Sequence, residues 1–276
     1  MRSLFCRLLT GLAKGLAGAL LLAVAVSARA GPCTPLRAGM SPLGVAFFKQ
    51  DGQARGYDVE LLQEMARRLG CGFEIVEMNR PRIFQSLERG ELIDLATSTS
   101  RTPERDQYAT FVPMAQTRDY LLVHSQLATP GFDLNQFVAA PGLRLGILAG
   151  SNYSSVINAR LAVMASQGRV ETTVNADALI PRLIAGRYDG LIVTPAYFVA
   201  ALRDMPEAKD LRALPVQESE PYLSGIYLSR KSLDENRRQR IREALEAIHQ
   251  DGTLLRILRR YFPESMARER AAFKAP

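Results

Sequence analysis

Apolar and polar residues alternate along the chain in two periods, which predict strands and helices in turn. Short apolar runs such as LRAGMS, FEIVEM and LIDLATS have the length of strands. Between them, YDVELLQEMARRLG places its apolar residues on one helical face and ends in Gly70, and the helix PRIFQSLERG ends in Gly90. The pattern therefore predicts a β-α-β-α-β series, which is the layout of an open parallel sheet.

A second series of the same plan follows the apolar strand YLLVHS and a change of composition in QLATPGFDLNQFVAAPG. Strands LRLGILAG, VETTV and YDGLIVT alternate with helices SNYSSVINARLAVMAS, NADALIPRLIAGR and PAYFVAALRDM. The chain returns through LRALPV and GIYLSR and closes with two helices separated by a turn at Gly252. The sequence thus predicts an α/β protein of two lobes with a crevice, and ligands of open α/β sheets bind beyond the carboxyl ends of the strands.

The first thirty residues have the plan of a secretory signal peptide. Arg2, Arg7 and Lys14 form a basic start, the run GLAGALLLAVAVSA is apolar, and an A-x-A site ends at Ala30. Cleavage there would leave 246 of the 276 residues, with Gly31 as the new N-terminus. An uncleaved membrane anchor is the alternative, although the apolar run is short for a membrane span.

More than half of the net positive charge of the chain belongs to this leader. Removing residues 1–30 takes away four of the 35 basic residues and none of the 28 acidic ones, so 31 basic residues face 28 acidic ones in the remainder. A balance so near neutrality argues against nucleic acid as a partner.

Two cysteines, Cys33 and Cys71, remain after the leader, and each precedes a predicted strand. If those strands are parallel neighbours, both cysteines lie at the same edge of the sheet and can form a disulfide in an oxidising compartment. Two buried thiols are the alternative. Neither a metal nor a cofactor is predicted, because the two histidines, His124 and His249, are far apart and no Cys/His ligand spacing occurs.

The stretch ATSTSRTPERDQYA follows the predicted strand LIDLA and places a cation in an unusual position. Thr102 and Pro103 predict the start of a helix, where the helix dipole favours negative charge, yet Arg105 follows at once. Because the strand end faces the crevice, Arg105 is predicted to bind an anion there, together with the hydroxyls of Ser98 and Ser100. A surface ion pair with a neighbouring carboxylate is the alternative.

These segments together resemble the periplasmic solute-binding proteins of the polar-amino-acid type, family 3 of the extracellular solute-binding proteins of ABC importers. The stretches that carry the resemblance are GYDVELLQEMARRLG, LERGELIDLATSTSRTPER, VPMAQTRDYLLVHS, LRLGILAGSNY, LIAGRYDGLIVT and QDGTLLRILRRYF. The resemblance implies the type II periplasmic binding protein fold, in which two lobes joined by two crossing strands close on a ligand. Lobe 1 would comprise residues 31–120 and 224–276 and lobe 2 residues 121–223, with YLLVHS and the stretch before GIYLSR as the crossings.

The resemblance also assigns roles to single residues. Arg105 matches the arginine that grips the carboxylate of an amino-acid ligand, and Ser98 and Ser100 match the hydroxyl positions beside it; a planar guanidinium suits that task. Lobe 2 would contribute the turn LAGSNYSS, whose backbone N–H groups can bind an anion at a helix start. The residues concerned are Gly150, Ser151 and Asn152. Ordinary helix capping in this turn is the alternative.

Three departures from the family pattern bear on the ligand. Thr194 stands where amino-acid binders carry the carboxylate that holds the α-ammonium group, Arg80 stands at an aromatic position, and Gly44 replaces a frequent tyrosine. The exchange of a carboxylate for a guanidinium favours a small carboxylated or anionic ligand, although Glu218 or Glu220 could restore the missing charge.

The resemblance implies a monomeric periplasmic protein that captures a small molecule for the membrane subunits of an ABC importer and is not an enzyme. Two alternatives stay open: a stand-alone periplasmic sensor for a membrane partner, and a secreted dehydratase-like enzyme on the same fold. The predicted cleft motifs offer arginine, serine and threonine but no paired carboxylates or histidine, which acid–base chemistry would need.

Overall fold

A computed structural model describes residues 33–273 of the chain. The predicted signal peptide and its cleavage site after Ala30 lie outside these residues. In chain order the strands are β1 (Leu36–Met40), β2 (Phe48–Gln50), β3 (Gln53–Arg55), β4 (Phe73–Glu77), β5 (Leu95–Ser100), β6 (Ala109–Thr117), β7 (Tyr120–His124), β8 (Leu145–Leu148), β9 (Val170–Thr173), β10 (Gly190–Val193), β11 (Leu211–Pro215) and β12 (Tyr222–Ser229).

The helices alternate with these strands, as the sequence periods predict. They are α1 (Tyr57–Leu69), α2 (Arg80–Arg89), α3 (Leu134–Ala139), α4 (Ser155–Ser166), α5 (Leu179–Ile184), α6 (Pro195–Asp204), α7 (Glu235–Gln250), α8 (Thr253–Leu258) and α9 (Glu264–Ala271). None of these helices is both long enough and apolar enough to cross a membrane.

The first sheet has the strand order β4-β1-β5-β12-β6. β1 pairs in parallel with β4 and β5, which confirms the predicted β-α-β-α-β unit. β12 returns from the second half of the chain and pairs antiparallel with β5 and β6. Helices α1, α7 and α8 bury their apolar residues, Leu61, Ile248 and Leu258 among them, in one core of this lobe, and α2 buries Ile83 and Leu87 in another.

The second sheet has the strand order β11-β7-β10-β8-β9. β8 pairs in parallel with β9 and β10, and β7 pairs antiparallel with β10 and β11. One core of this lobe is built around Phe137 and Ile157, and another around Leu183 and Leu191. Both sheets are mostly covered by helices, which is the two-lobed α/β architecture expected from the sequence.

Two connections carry the chain between the sheets. Arg118 and Asp119 join β6 to β7, and residues 216–221 join β11 to β12. The segment YLLVHS was expected to cross between the lobes, but its first five residues form β7 within the second sheet. The first crossing is therefore the two-residue step immediately before it.

The predicted disulfide is present in the structure. Cys33 and Cys71 are bonded, with their Cα atoms 5.3 Å apart. Each precedes one of two parallel neighbours, since Leu36 of β1 lies in register with Phe73 of β4. The two strands that follow the cysteines are thus parallel neighbours, as the predicted disulfide required.

The prediction of an α-helix after Thr102 is wrong. The hydroxyl of Thr102 does accept a hydrogen bond from the Arg105 amide at 3.1 Å, but only a single 3-10 turn follows, Arg105–Gln107. The edge strand β6 then begins at Ala109. β6 itself was not predicted from the sequence, nor were the β2–β3 hairpin and α9.

Candidate ligand-binding site

A cavity of about 60 Å³ lies between the two sheets. Its walls come from the ends of strands of both sheets, from the starts of α2 and α6, from the first crossing and from α9. Six of the eight residues predicted for the site line it: Arg80, Ser98, Ser100, Ser151, Asn152 and Thr194. The other two, Arg105 and Gly150, contact each other behind this lining.

The end of β5 presents hydroxyl groups to the cavity. Ser98 has a φ of 45°, which is uncommon for a residue with a side chain and is often found at functional sites. Its Oγ lies 3.2 Å from the hydroxyl of Tyr57. Behind it, burial raises the pKa of Asp58 to about 6, while the hydroxyls of Thr97 and Ser98 act in the opposite direction.

Arg80 places an unpaired cation at the cavity. It begins α2, where the side chain of Asn79 caps the helix by accepting a hydrogen bond from the Arg82 amide at 3.0 Å. The Arg80 Nε is buried without a hydrogen-bond partner, and no salt bridge to Arg80 forms among residues 33–273. A cation at the start of a helix is disfavoured by the helix dipole, so this position calls for an anion.

Arg105 lies beside Arg80 and is buried. Its guanidinium stacks 3.6 Å from the centroid of the Phe84 ring, donates to the carbonyl of Ser100 at 3.0 Å, and donates to the carbonyl of Gly150 at 3.2 Å. Burial, and next the nearby charge of Arg80, lower the pKa of Arg105 to about 10. Arg105 therefore stays charged at neutral pH, and the structure gives it no carboxylate partner within the part of the chain it describes.

The lobe 2 turn differs from its prediction. α4 begins at Ser155 and is capped by the side chain of Ser154, so capping by Ser151 or Asn152 is wrong. The Ser151 amide donates to the carbonyl of Leu148 at 3.2 Å. The run SNYSS offers several capping residues, and the later one caps because the intervening tyrosine packs against the lobe 2 core. Ser151 and Asn152 both line the cavity, and their predicted contact with a ligand stays a prediction.

Two glycines allow the lobes to approach each other closely. A Cβ at Gly150 would lie 3.2 Å from the Cβ of Arg80 in the other lobe. A Cβ at Gly44 would lie 2.0 Å from the carbonyl oxygen of Ala196, which accepts a hydrogen bond from the Val45 amide at 2.9 Å. Both glycines have positive φ angles, 75° and 47° respectively, so a side chain would also strain the backbone.

The charge missing at Thr194 is not supplied by the glutamates near the second crossing. The Thr194 hydroxyl faces the cavity and makes no capping bond to α6. Glu218 accepts a hydrogen bond from Asn135 within lobe 2, and neither Glu218 nor Glu220 is among the lining residues. The carboxylate that does line the cavity is Asp119, in the first crossing.

Asp119 is a buried acid that sequence reasoning missed. It is 1% exposed, and its Oδ1 accepts a hydrogen bond from the Tyr222 hydroxyl at 3.0 Å. Its buried Oδ2 has no hydrogen-bond partner in the described part of the chain, and burial raises the pKa of Asp119 to about 6. The only sequence signal was an acidic residue just before an apolar strand. Arg118 instead pairs with Glu269 at 3.3 Å.

Arg270 of α9 is a second arginine in the cavity lining, beside Arg80, and was missed. It is 3% exposed, donates to the Thr117 hydroxyl at 3.0 Å and to the Tyr57 hydroxyl at 3.3 Å, and lies 4.7 Å from the centroid of Phe262. No motif marked it, since it belongs to the charged stretch ESMARERAAF near the end of the chain.

Two α/β lobes joined by two crossings around a polar cavity define a type II periplasmic binding protein fold. The model of the bacterial extracellular solute-binding proteins, family 3, matches residues 36–264, and the chain belongs to this family. A histidine-binding periplasmic protein of Salmonella typhimurium is 23% identical over 237 residues, which cover 82% of this chain and 87% of that protein.

Solved structures of this fold align over most of the chain. An ancestral arginine-binding protein bound to arginine has a TM-score of 0.70 at 23% identity and covers 83% of this chain and 98% of its own. A substrate-binding protein of an ABC uptake transporter from Streptococcus pneumoniae, with bound histidine, has a TM-score of 0.71 at 18% identity and covers 83% and 92%. At these identities the likeness shows the fold.

Proposed function

We propose that this protein is an exported, monomeric solute-binding protein that captures a small, amino-acid-like carboxylated solute between its lobes. In the periplasm it delivers that solute to the membrane subunits of an ABC importer. Membership in family 3 and the histidine-binding relative support the general role. The choice of a carboxylated solute rests on the charges at the cavity.

The observation that carries the proposal is that the guanidiniums of Arg80 and Arg105 lie close together and that neither has a carboxylate partner among residues 33–273. Both lie against the ring of Phe84, and the charge of Arg80 depresses the pKa of Arg105. A carboxylate between them would relieve this repulsion and accept charge-assisted hydrogen bonds in a forked geometry. The hydroxyls of Ser98 and Ser100, which also line the cavity, supply further donors.

The opposite wall favours a small polar solute. Ser151, Asn152 and Thr194 bring hydroxyl and amide groups from lobe 2 to the same cavity. A volume of about 60 Å³ has room for only a few water-sized groups in this closed arrangement. A compact solute rich in hydrogen-bonding groups fits this description better than an extended or apolar one.

The proposal is tested first by finding the solute. The mature chain is screened by thermal shift against amino acids, dicarboxylates and other small anions, and the best binder is measured by calorimetry. Mass spectrometry of the recovered solute should show it unchanged; a converted product would support the dehydratase-like alternative instead. Failure of every carboxylated compound to stabilise the protein would overturn the proposed solute class.

A matched pair of variants then tests the arginines. Arg80→Met should weaken binding by about 30-fold or more, because it leaves a desolvated carboxylate short of its partner. Arg101→Met is the control: Arg101 belongs to the same sequence motif as Arg105, but its side chain is 61% exposed and pairs with Asp106 at 2.8 Å. Equal affinity in the two variants would refute the carboxylate grip.

The importer role has its own test. In the source organism, deletion of the gene should abolish high-affinity uptake of the solute found in the screen. Normal uptake together with loss of a response to the solute would favour the stand-alone sensor.

A further inference from the structure

We propose that Asp119 binds a cationic group of the ligand, so that the solute carries an ammonium group as well as a carboxylate. The inference rests on the proposed function and names the second half of the ligand. In this protein the crossing between the lobes would supply the negative charge for which Thr194 offers only a neutral hydroxyl.

The geometry of Asp119 shows an acid with one satisfied and one open oxygen. Tyr222 donates to its Oδ1, whereas Oδ2 is enclosed without a hydrogen-bond partner. Both residues line the cavity, and Tyr153 completes this part of the wall. An enclosed carboxylate normally has its acceptor sites filled, because leaving a buried acceptor unpaired is costly.

No cation of the protein fills this role in residues 33–273. Arg118, the nearest in sequence, pairs with Glu269. Arg270 donates to the hydroxyls of Thr117 and Tyr57, and no salt bridge between it and Asp119 forms. A buried carboxylate must be paired or become protonated, so the open oxygen calls for a cation that comes with the ligand.

The lining of the cavity therefore contains groups that require partners of opposite charge. Arg80, with Arg105 behind the lining, calls for a carboxylate, and Asp119 calls for an ammonium group. A compact zwitterion, that is, an α-amino acid or a close relative, provides both. A purely anionic dicarboxylate would bring a second negative charge towards an acid that already lacks a partner.

Matched ligands test this directly. The twenty L-amino acids and the corresponding acids without the α-amino group, such as L-glutamate and glutarate, are titrated calorimetrically into the wild-type protein. At least one amino acid should bind about 30-fold or more tightly than its counterpart. If only the acids without the amino group bind, the inference is wrong while the proposed function stands; if no carboxylated compound binds, the proposed function itself fails.

Variants then test whether Asp119 causes the preference for the amino acid. Asp119→Asn keeps an acceptor for Tyr222 and should remove most of the preference for the amino acid, with little loss in binding of the acid that lacks the amino group. Asp133→Asn is the control for net charge, since Asp133 caps α3 in lobe 2 and asparagine caps a helix equally well. A preference that persists unchanged in Asp119→Asn would overturn the inference.

The pH dependence gives a second readout that a merely structural role would not move. The pKa of Asp119 is raised to about 6 by burial, while the bond from Tyr222 opposes that shift; Tyr153 and Tyr222 face it. Below that pH Asp119 loses its charge, so amino-acid affinity should fall about tenfold from pH 7 to pH 5. Asp58 titrates in the same range, but it is present in the wild type and in Asp119→Asn alike. The part of the decrease in affinity that disappears in Asp119→Asn is therefore due to Asp119. Identical pH profiles would contradict the inference.

Discussion

Replacement of Gly44 by alanine should hold the two lobes apart. The added Cβ would lie 2.0 Å from the carbonyl oxygen of Ala196, whereas real Cβ contacts are essentially never below 3.0 Å. This point of the interface must therefore open by roughly 1 Å, the difference between these two distances. That movement would also break the hydrogen bond from the Val45 amide to the same oxygen.

The expected loss of ligand affinity follows from these two destabilising effects on the closed state. Overpacking at a tight contact costs about 1–3 kcal/mol, and a lost hydrogen bond costs about 0.5–1.5 kcal/mol. If the ligand binds the closed form, its apparent affinity falls with the population of that form, by roughly tenfold to a thousandfold in Gly44→Ala. The backbone strain of a non-glycine residue at a φ of 47° adds a separate destabilisation of the fold.

Gly52 provides the control that isolates the contact between the lobes. It also has a positive φ, 73°, but a Cβ there meets nothing within 4 Å. Gly52→Ala therefore carries a similar backbone strain without touching lobe 2. Calorimetry on both variants should show weak binding in Gly44→Ala alone, and small-angle scattering should show a larger radius of gyration for it. Equal affinities would refute the closed interface as a determinant of binding.

Three further predictions concern charge and covalent structure. Arg105→Ala should weaken ligand binding by about 30-fold or more with the fold intact by circular dichroism, and Arg105→Lys should recover only part, because a point charge does not reproduce the fork; unchanged affinity in calorimetry would remove Arg105 from the site. The double variant Cys33→Ser/Cys71→Ser should lose about 3–4 kcal/mol of unfolding free energy in urea titrations, since the bond closes a loop of 38 residues; equal stability of the two proteins without reductant would contradict this. Ligand-free protein should gain stability as the pH falls from 6 towards 4, because burial raises the pKa of Asp58 and of Asp119 to about 6 from 3.8 and the folded state then binds protons that the unfolded chain does not; a loss of stability over that range would show that other groups dominate.

The order of strands and helices was predictable because each core strand and amphipathic helix shows its own period. β1, β4 and β5 with α1 and α2 follow directly from that pattern. β6 was missed because ATFVPMAQT is an edge strand that contains a proline and mixes polar with apolar residues. Its place is fixed by pairing with β12, more than a hundred residues away in the chain, which no local period records.

The site could be predicted only where its residues follow strand ends. Ser98, Ser100 and Thr194 were found in this way, and all three line the cavity. Arg270 was not, because it reaches the cavity from α9 by contacts with residues far apart in sequence, such as Thr117. Asp119 was missed because its burial follows from the position of the crossing, which the sequence placed inside YLLVHS rather than just before it.

The position of Asp119 in the crossing gives the two proposed ligand contacts different relations to closure. When two lobes turn about their connections, groups far from the connections move most and groups within them move least. The Arg105–Gly150 bond joins residues of opposite lobes and so depends on closure. Asp119 lies in the first crossing, Tyr222 directly follows the second, and the two are hydrogen-bonded to each other, so their geometry would change little as the lobes move. An ammonium group could then be held before closure, and the bonds that span the lobes would form once the carboxylate has reached Arg80.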